Sequence, residues 1–266
     1  MAQGKIGIIE DHGGEAIEEA IAYSTIGIAS EDGTTLGTGV AIRYKEYNLI
    51  VTARHVLESV DLDTSWLFPP SHAPLVRAAK KDLPELLARR NRIKIPSTQI
   101  LISKSADDDL AVLFVDASCL TRQNVRFHEL DDTRNTPEPG VNIVIMGYPG
   151  EIAVSPREGP ASFEGYEILL NVEWRFVVKP VIGLSGFNPT KHFLVDFSED
   201  THAKGLVAHP AGMSGSGIWT YSAFEQDNVW YSTNMLLVGI QSSWYRQSRL
   251  IKGVRIGRLL HLLHAL

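Results

Sequence analysis

The sequence predicts a mainly β protein built from antiparallel sheets, and three observations lead to that prediction. Short apolar segments follow one another along the chain, and most are bounded by Gly, Pro, Asn or Asp, which favour turns. Few helical patterns lie between these segments, so parallel β-α-β crossovers are not expected. The chain has 266 residues, 44% of them hydrophobic, which is enough for one large domain or two compact halves.

The individual elements follow from local patterns. Acidic and apolar residues at helical spacing predict a short amphipathic helix over 14–22. Two more helices are predicted over 82–90 and 258–266. Strands are predicted over 24–30, 36–44, 48–53, 99–103, 110–116, 141–148, 163–178, 192–197, 215–221, 234–243 and 253–257. A polar, turn-rich stretch over 117–138 divides these strands into two halves of similar size.

Composition excludes several classes of protein. A net charge of −6 argues against a dedicated polyanion binder, so a nucleic-acid partner is not expected. The single cysteine, Cys119, rules out an intrachain disulfide and a multi-cysteine zinc site. The N-terminus lacks the uninterrupted apolar region of a secretory signal, and no apolar run is long enough to span a bilayer. We therefore expect a cytoplasmic protein in a reducing compartment, with no metal, no cofactor and no membrane contact.

Three short segments could support catalysis. His55 follows the apolar strand that ends in Val-Thr-Ala, and Asp109 opens the strand Leu-Ala-Val-Leu. Ser214 lies in the glycine-rich turn Gly-Met-Ser-Gly-Ser-Gly. Each motif alone has an ordinary structural explanation, because histidines beside strands, acids at strand starts and Gly/Ser loops are common.

Taken in the order His, Asp, Ser, the motifs resemble the chymotrypsin/trypsin superfamily of serine peptidases, in the style of bacterial members without disulfides. Gly37-Thr38-Gly39 and the segment 146–150 resemble further stretches of that family. The resemblance implies two six-stranded antiparallel β-barrels, with His55 and Asp109 in residues 24–125 and Ser214 in residues 126–258. A helical extension over 1–23 and a C-terminal helix over 259–266 complete the expected arrangement.

The resemblance also implies a role for each site residue. Ser214 is expected to be the nucleophile, His55 the general base and then acid, and Asp109 the carboxylate that orients the imidazole. The backbone amides of Gly212 and Ser214 are expected to bind the oxyanion. The substrate pocket is expected to be lined by Ala208, His209, Ser242, Ser243 and Gly253. Because none of these is acidic, we expect a small or apolar residue before the cleaved bond rather than Arg or Lys.

Two positions in the serine loop depart from the family pattern. Met213 stands where zymogen-type members have the aspartate that pairs with a newly cut N-terminus, so activation by N-terminal cleavage is not expected. Ser216 stands where the family usually has a second glycine after the nucleophile, which places another hydroxyl in the loop.

Alternative functions remain at this stage. The chain could be a catalytically silent protease fold that binds or scaffolds other molecules. A minor alternative is an α/β-hydrolase esterase, in which Asp227 and His261 or His264 would complete the site after Ser214. Residues 77–94 carry seven basic against two acidic residues, so they could bind a separate regulatory protein, although a solvated helix face would look the same.

Overall fold

The computed structural model of the chain describes residues 20–30, 36–63, 65–68, 93–94, 100–130, 142–148, 172–173, 184–196, 210–221 and 235–264. Within these ranges the strands form two sheets, and every pairing but one is antiparallel. The helices in these ranges are short, and none is long and apolar enough to cross a membrane.

The first sheet contains all the described strands before residue 130. Its members are β1 (Thr25–Ala29), β2 (Leu36–Tyr44), β3 (Tyr47–Ala53), β4 (Trp66–Phe68), β5 (Ile93–Lys94), β6 (Ile100–Ile102), β7 (Leu110–Phe114) and β8 (His128–Glu129). They are ordered β5-β4-β1-β2-β3-β7-β6, and the two-residue strand β8 pairs in parallel with β2. Strand β3 ends two residues before His55, and β7 begins directly after Asp109. These two strands are direct neighbours in the sheet.

The second sheet contains the described strands after residue 141. Its members are β9 (Asn142–Ile145), β10 (Val172–Glu173), β11 (His192–Asp196), β12 (Gly217–Tyr221), β13 (Met235–Tyr245) and β14 (Leu250–Arg255), in the order β10-β9-β12-β13-β14-β11. The pairing of β13 with β14 shifts between Gln241 and Ser243, which makes Ser242 the extra residue of a β-bulge.

Short helices lie at the ends of strands. The helix α1 (Arg54–Glu58) follows β3 directly, and a 3₁₀-helix (Ala106–Asp108) precedes β7. The helix α2 (Ala117–Thr121) begins at Asp116, whose side chain accepts a hydrogen bond from the amide of Ser118. The helix α3 (Ile256–Leu263) continues from β14 and buries one apolar side.

Strand β2 is buried on both faces, because its alternate side chains enter two different cores. Ala41 packs in the core of the first sheet, whereas Val40 and Ile42 belong to a larger cluster. That cluster also contains Trp219 of β12 and Leu259 of α3. Apolar burial, at roughly 25 cal/mol per Å², therefore joins the two sheets as well as stabilising each of them.

The structure confirms the mainly β fold with two antiparallel sheets and few helices. In the described residues the second sheet has the six strands expected, and the first has eight, which include the two-residue strands β5 and β8. The α/β-hydrolase alternative is wrong, since that fold needs a largely parallel sheet with crossover helices. The boundary at residues 125 and 126 stays a prediction, and the helix over 82–90 and nearly all of the basic segment 77–94 lie outside the described residues.

A buried histidine connects the two sheets. His192 opens β11, and its side chain is fully buried. Its Nδ1 accepts a hydrogen bond from the amide of Asn188 at 2.9 Å, and its Nε2 lies 2.8 Å from the carbonyl oxygen of Asp107. These contacts fix the neutral tautomer with the proton on Nε2. Burial, together with the nearby Lys252 ammonium, lowers the pKa of His192 to about 4.

The low pKa of His192 makes stability depend on pH. In the unfolded chain this imidazole titrates near 6.5, so the unfolded state binds a proton more readily than the folded state. The free energy of unfolding should therefore fall as the pH drops from about 6.5 to about 4, by roughly 3 kcal/mol from this residue. His192→Gln keeps an N–H but does not titrate, so urea unfolding of this variant should depend less on pH in that window. An equal pH dependence in the two proteins would contradict this assignment.

Candidate active site

The pairing of β3 with β7 brings His55 and Asp109 together. In this antiparallel pair Ala53 lies opposite Leu110, so the residue after Ala53 meets the residue before Leu110. The amide of Arg54 accordingly donates to the carbonyl oxygen of Asp109 at 3.0 Å. His55, one residue further along, lies within reach of the Asp109 side chain.

The Asp109 carboxylate holds both the backbone and the ring of His55. Its Oδ1 accepts a hydrogen bond from the His55 amide at 3.1 Å, which satisfies one free N–H at the start of α1. The ring Nδ1 of His55 lies 3.1 Å from Oδ1 and 2.9 Å from Oδ2. Because a carboxylate accepts, the proton resides on Nδ1 and leaves the lone pair of Nε2 available.

The two side chains differ in exposure. The Asp109 side chain is 15% exposed, whereas that of His55 is 49% exposed. Asp109 also has a left-handed backbone, with φ of 43°, which residues other than glycine adopt only when their surroundings require it. The carboxylate is therefore held within the fold, and the imidazole that it orients faces an open side of the molecule.

Two consecutive turns, each with a glycine in the left-handed region, present Ser214. The amide of Met213 donates to the carbonyl of Pro210, and the amide of Ser216 donates to that of Met213. Gly212 (φ 90°) and Gly215 (φ 92°) occupy the third positions of these turns, where a positive φ is required. Met213 is buried in the apolar core of the second sheet, so the loop is anchored by packing at the position where zymogens have an aspartate.

The amides around Ser214 fall into two groups. Those of Met213, Gly215 and Ser216 donate to backbone carbonyls. Those of Gly212 and Ser214 donate no hydrogen bond to any residue that the structure describes. Backbone N–H groups without a described acceptor can bind a developing oxyanion.

Thr38 joins the serine loop to the first sheet. Its amide donates to the carbonyl oxygen of Ser214 at 2.8 Å, and its hydroxyl lies 3.1 Å from the carbonyl oxygen of Gly212. Gly215 approaches so closely that a Cβ there would collide with the Thr38 oxygen and would lie 3.0 Å from the amide nitrogen of Ala53. The serine loop therefore packs against the strand end that leads into His55. No hydrogen bond joins the Ser214 hydroxyl to His55 within the described ranges.

The predicted pocket residues are only partly described. Ala208 and His209 lie outside the described residues. Ser242 is buried at the bulge, and its hydroxyl has no partner among the residues of known placement, while Ser243 is half-buried. Gly253 packs against Ile218 and Phe193 in the core of the second sheet, which argues against its lining an open pocket.

Lys252, next to Gly253, adds a positive charge that the sequence patterns did not indicate. It is 6% exposed, and its ammonium donates to the carbonyl oxygen of Gly186 at 3.3 Å. Burial lowers the pKa of Lys252, while the carboxylates of Asp109 and Asp107 act in the opposite direction. The Lys252 ammonium is thus close enough to interact electrostatically with the Asp109 carboxylate.

No protein-family model matches the chain, and no curated protein matches it. Solved structures do match. One inactivated protease paralogue from the scabies mite is 12% identical, with a TM-score of 0.57 over 93% of this chain and 92% of the other. A second such paralogue is 14% identical, with a TM-score of 0.56 over 92% and 94%. A serine endoprotease from Yersinia pestis is 12% identical, with a TM-score of 0.55 over 94% of this chain and 65% of the other.

The chain has the chymotrypsin-like serine protease fold. Two of these similar structures are inactivated proteases, so the chymotrypsin-like fold alone does not decide whether this chain is active. The sequence patterns identified His55, Asp109, Ser214 and Gly212, but not Thr38. The glycines on either side of Thr38 were the available signal, because they permit the close approach of Val56 and Ile50.

The role of the Asp109 carboxylate can be tested by comparing its substitution with that of the exposed Asp107. Asp109→Asn should preserve the fold but lower turnover by on the order of 10⁴-fold, because an amide does not hold the required tautomer of His55. Asp107→Asn is the matched control, because the Asp107 side chain is 58% exposed and makes no contact with His55 among the described residues. Turnover of a peptide substrate and far-UV circular dichroism should be measured for both variants. Equal losses at the two positions would contradict the assignment of Asp109.

Proposed function

We propose that the protein is a serine endopeptidase that cleaves peptide bonds through an acyl-enzyme intermediate. The observation that carries this proposal is the contact of 2.9 Å between His55 Nδ1 and the Asp109 carboxylate, because it leaves Nε2, which has no partner among the described residues, as the proton acceptor. The exposed free thiol of Cys119 is consistent with the cytoplasmic location expected from the sequence, which is also part of the proposal.

The arrangement supports both halves of the reaction. In the first, the Ser214 hydroxyl attacks the substrate carbonyl carbon while His55 Nε2 takes its proton, and the negative Asp109 stabilises the imidazolium. The imidazolium then gives its proton to the leaving amine as the peptide bond breaks. In the second half, His55 takes a proton from the water that attacks the acyl ester. The imidazolium then gives this proton to the Ser214 oxygen as the ester bond breaks, which releases the acid and restores the hydroxyl.

The free amides of Gly212 and Ser214 support stabilisation of the negative oxygen that forms in each half. Both amides belong to a loop that is fixed by glycine turns, by the buried Met213 and by Thr38. Preorganised donors of this kind need no rearrangement as charge develops, and losing one typically lowers the rate by about 10²- to 10³-fold.

A silent binding protein is the second candidate function. It is favoured by two observations: the fold is shared with inactivated proteases, and Ser214 and His55 are not hydrogen-bonded to each other in the described structure. In many hydrolases the bond between nucleophile and base forms only when substrate binds, so this geometry is compatible with both functions.

Covalent labelling separates the two functions. A fluorophosphonate probe should label the native protein at Ser214, because the probe reports a serine that is activated by a base. Labelling should disappear in His55→Ala and in Ser214→Ala, as measured by intact-protein mass spectrometry. Ser216→Ala is the matched control in the same loop, since its hydroxyl is buried and has no described partner, and it should label normally.

Absence of labelling in the native protein, with the fold intact by circular dichroism, would favour the silent binding protein. Labelling that survives His55→Ala would instead contradict the role of His55 as base.

We further propose that the residue before the cleaved bond is small or apolar. The residues that the resemblance places in the pocket include no acid. An ion pair that selects Arg or Lys would need a buried carboxylate in that pocket.

A fluorogenic peptide library that varies this substrate residue tests the proposed specificity. We expect kcat/KM to be highest for small or apolar residues, and lower by at least about tenfold for Arg and Lys, since a buried charge without a partner is costly. Dominant cleavage after Arg or Lys would overturn this proposal without affecting the assignment of the triad.

A further inference from the structure

The acid directly before Asp109 has a different environment from its neighbours. A run of three acids, as at 107–109, is typical of a solvated turn. In the structure, however, the Asp108 side chain is 4% exposed, whereas that of Asp107 is 58% exposed. The 3₁₀-helix that ends at Asp108 turns this carboxylate into the interior. A buried carboxylate needs partners, and the charged partners of Asp108 are Arg258 on α3 and Lys191 just before β11.

Arg258 of α3 is the main partner of Asp108. Its Nη2 donates to Oδ2 at 2.7 Å and its Nε to Oδ1 at 3.3 Å, so the guanidinium binds both oxygens. Lys191, just before β11, lies 3.3 Å from Oδ1, and the Ser103 hydroxyl lies 3.1 Å from Oδ2. Burial alone would raise the pKa of Asp108, but Arg258 and Lys191 lower it below its ordinary value, so the carboxylate is ionised.

Two more contacts hold the same segment from the second sheet. The Lys191 ammonium donates to the Ser105 hydroxyl at 2.9 Å, and His192 Nε2 donates to the carbonyl oxygen of Asp107 at 2.8 Å. We call Asp108, Arg258, Lys191 and His192 the inter-sheet clamp. It holds residues 105–108 through α3 and the start of β11, in addition to the contacts that Arg54 and His55 make with Asp109.

The backbone conformation of Asp109 explains why the contacts that hold residues 105–108 affect the candidate site. Its left-handed conformation is one that aspartate tolerates but that is less favourable than the right-handed region, so contacts on both sides of the residue help to hold it. Arg54 and His55, which follow β3, restrain Asp109 directly. The contacts that hold Asp108 restrain it as well, through the peptide bond that joins the two residues. A small rotation at this peptide would move the Asp109 carboxylate relative to the His55 ring.

We propose that Asp108 and Arg258 are positioning residues, which fix the Asp109 carboxylate against His55 by holding the preceding segment on the second sheet. This inference rests on the proposed peptidase function for its kinetic consequence. The charged and titratable groups that face the Asp109 segment are Asp107 and Asp108 beside it, Arg54, His55 and Glu58 on α1, Lys191 and His192 at β11, Lys252 on β14, and Arg258 on α3.

Kinetics of Arg258→Met tests the proposal. Because displacements of about 1 Å at a reacting group cost on the order of 10²-fold, kcat should fall by about 10- to 100-fold. KM should change by less than about twofold, since among the described residues Arg258 binds Asp108 and none of the predicted pocket residues Ser242, Ser243 and Gly253. Arg258→Lys should recover part of the loss, because the ammonium keeps the charge but binds one oxygen at a time. The matched control is Arg43→Met, which removes an exposed ion pair with Glu129 and should keep native kcat.

Proton NMR supplies a readout that does not require activity. The His55 Nδ1 proton, hydrogen-bonded to a carboxylate, should give a far-downfield signal in the native protein that is missing in His55→Ala. The signal should weaken or move in Arg258→Met and stay unchanged in Arg43→Met. A protein that neither cleaves peptides nor labels, yet shows this pattern, would disprove the peptidase function while supporting the positioning role.

The double variant Asp108→Asn/Arg258→Met covers the case in which Arg258→Met alone does not fold, because it leaves no unpaired buried charge at this pair. If Asp108 and Arg258 act as a unit, the double variant should lose no more activity than the worse single variant. Native kcat and an unchanged His55 signal in a folded variant without Arg258 would overturn the proposal. A loss that appears only as a smaller folded fraction, with native kcat per folded molecule, would overturn it as well.

Discussion

The close approach between the serine loop and the first sheet is the constraint on which the site depends. Thr38 supplies it through hydrogen bonds to Ser214 and Gly212, and Gly215 permits it because a side chain there would collide with the Thr38 backbone. The contact works only with the buried apolar cluster that the two sheets share. Apolar packing brings the two sheets together but does not depend on orientation. The directional hydrogen bonds of Thr38 fix the position of the serine loop against the first sheet.

The members of the candidate triad are positioned by different kinds of interaction. Strand register places His55 next to Asp109, because Ala53 pairs with Leu110. Glycine turns and the burial of Met213 place Ser214. Buried charge places the segment before Asp109, through Asp108 and Arg258.

Much of this arrangement could be predicted from local patterns. Strand β2 has the predicted bounds, and β11 and β12 differ from prediction by no more than two residues at either end. The helix α1 could not be predicted, since five residues are too few to show an apolar period. Nor could the burial of Asp108, because its partner Arg258 lies 150 residues away and an Asp-Asp-Asp run reads as a solvated turn. Gly253 was placed in a pocket wall by motif counting, which does not show which face of a strand a position occupies.

The sequence distances spanned by these contacts affect how the site forms. His55 and Asp109 are 54 residues apart, Asp108 and Arg258 are 150 apart, and Thr38 and Gly212 are 174 apart. Proteins dominated by pairings this distant fold in milliseconds to seconds rather than microseconds, because long loops close before their contacts repay the lost entropy. The geometry of the candidate site is accordingly expected to form late in folding. A partly folded chain contains the side chains of His55, Asp109 and Ser214, but these side chains are still far apart.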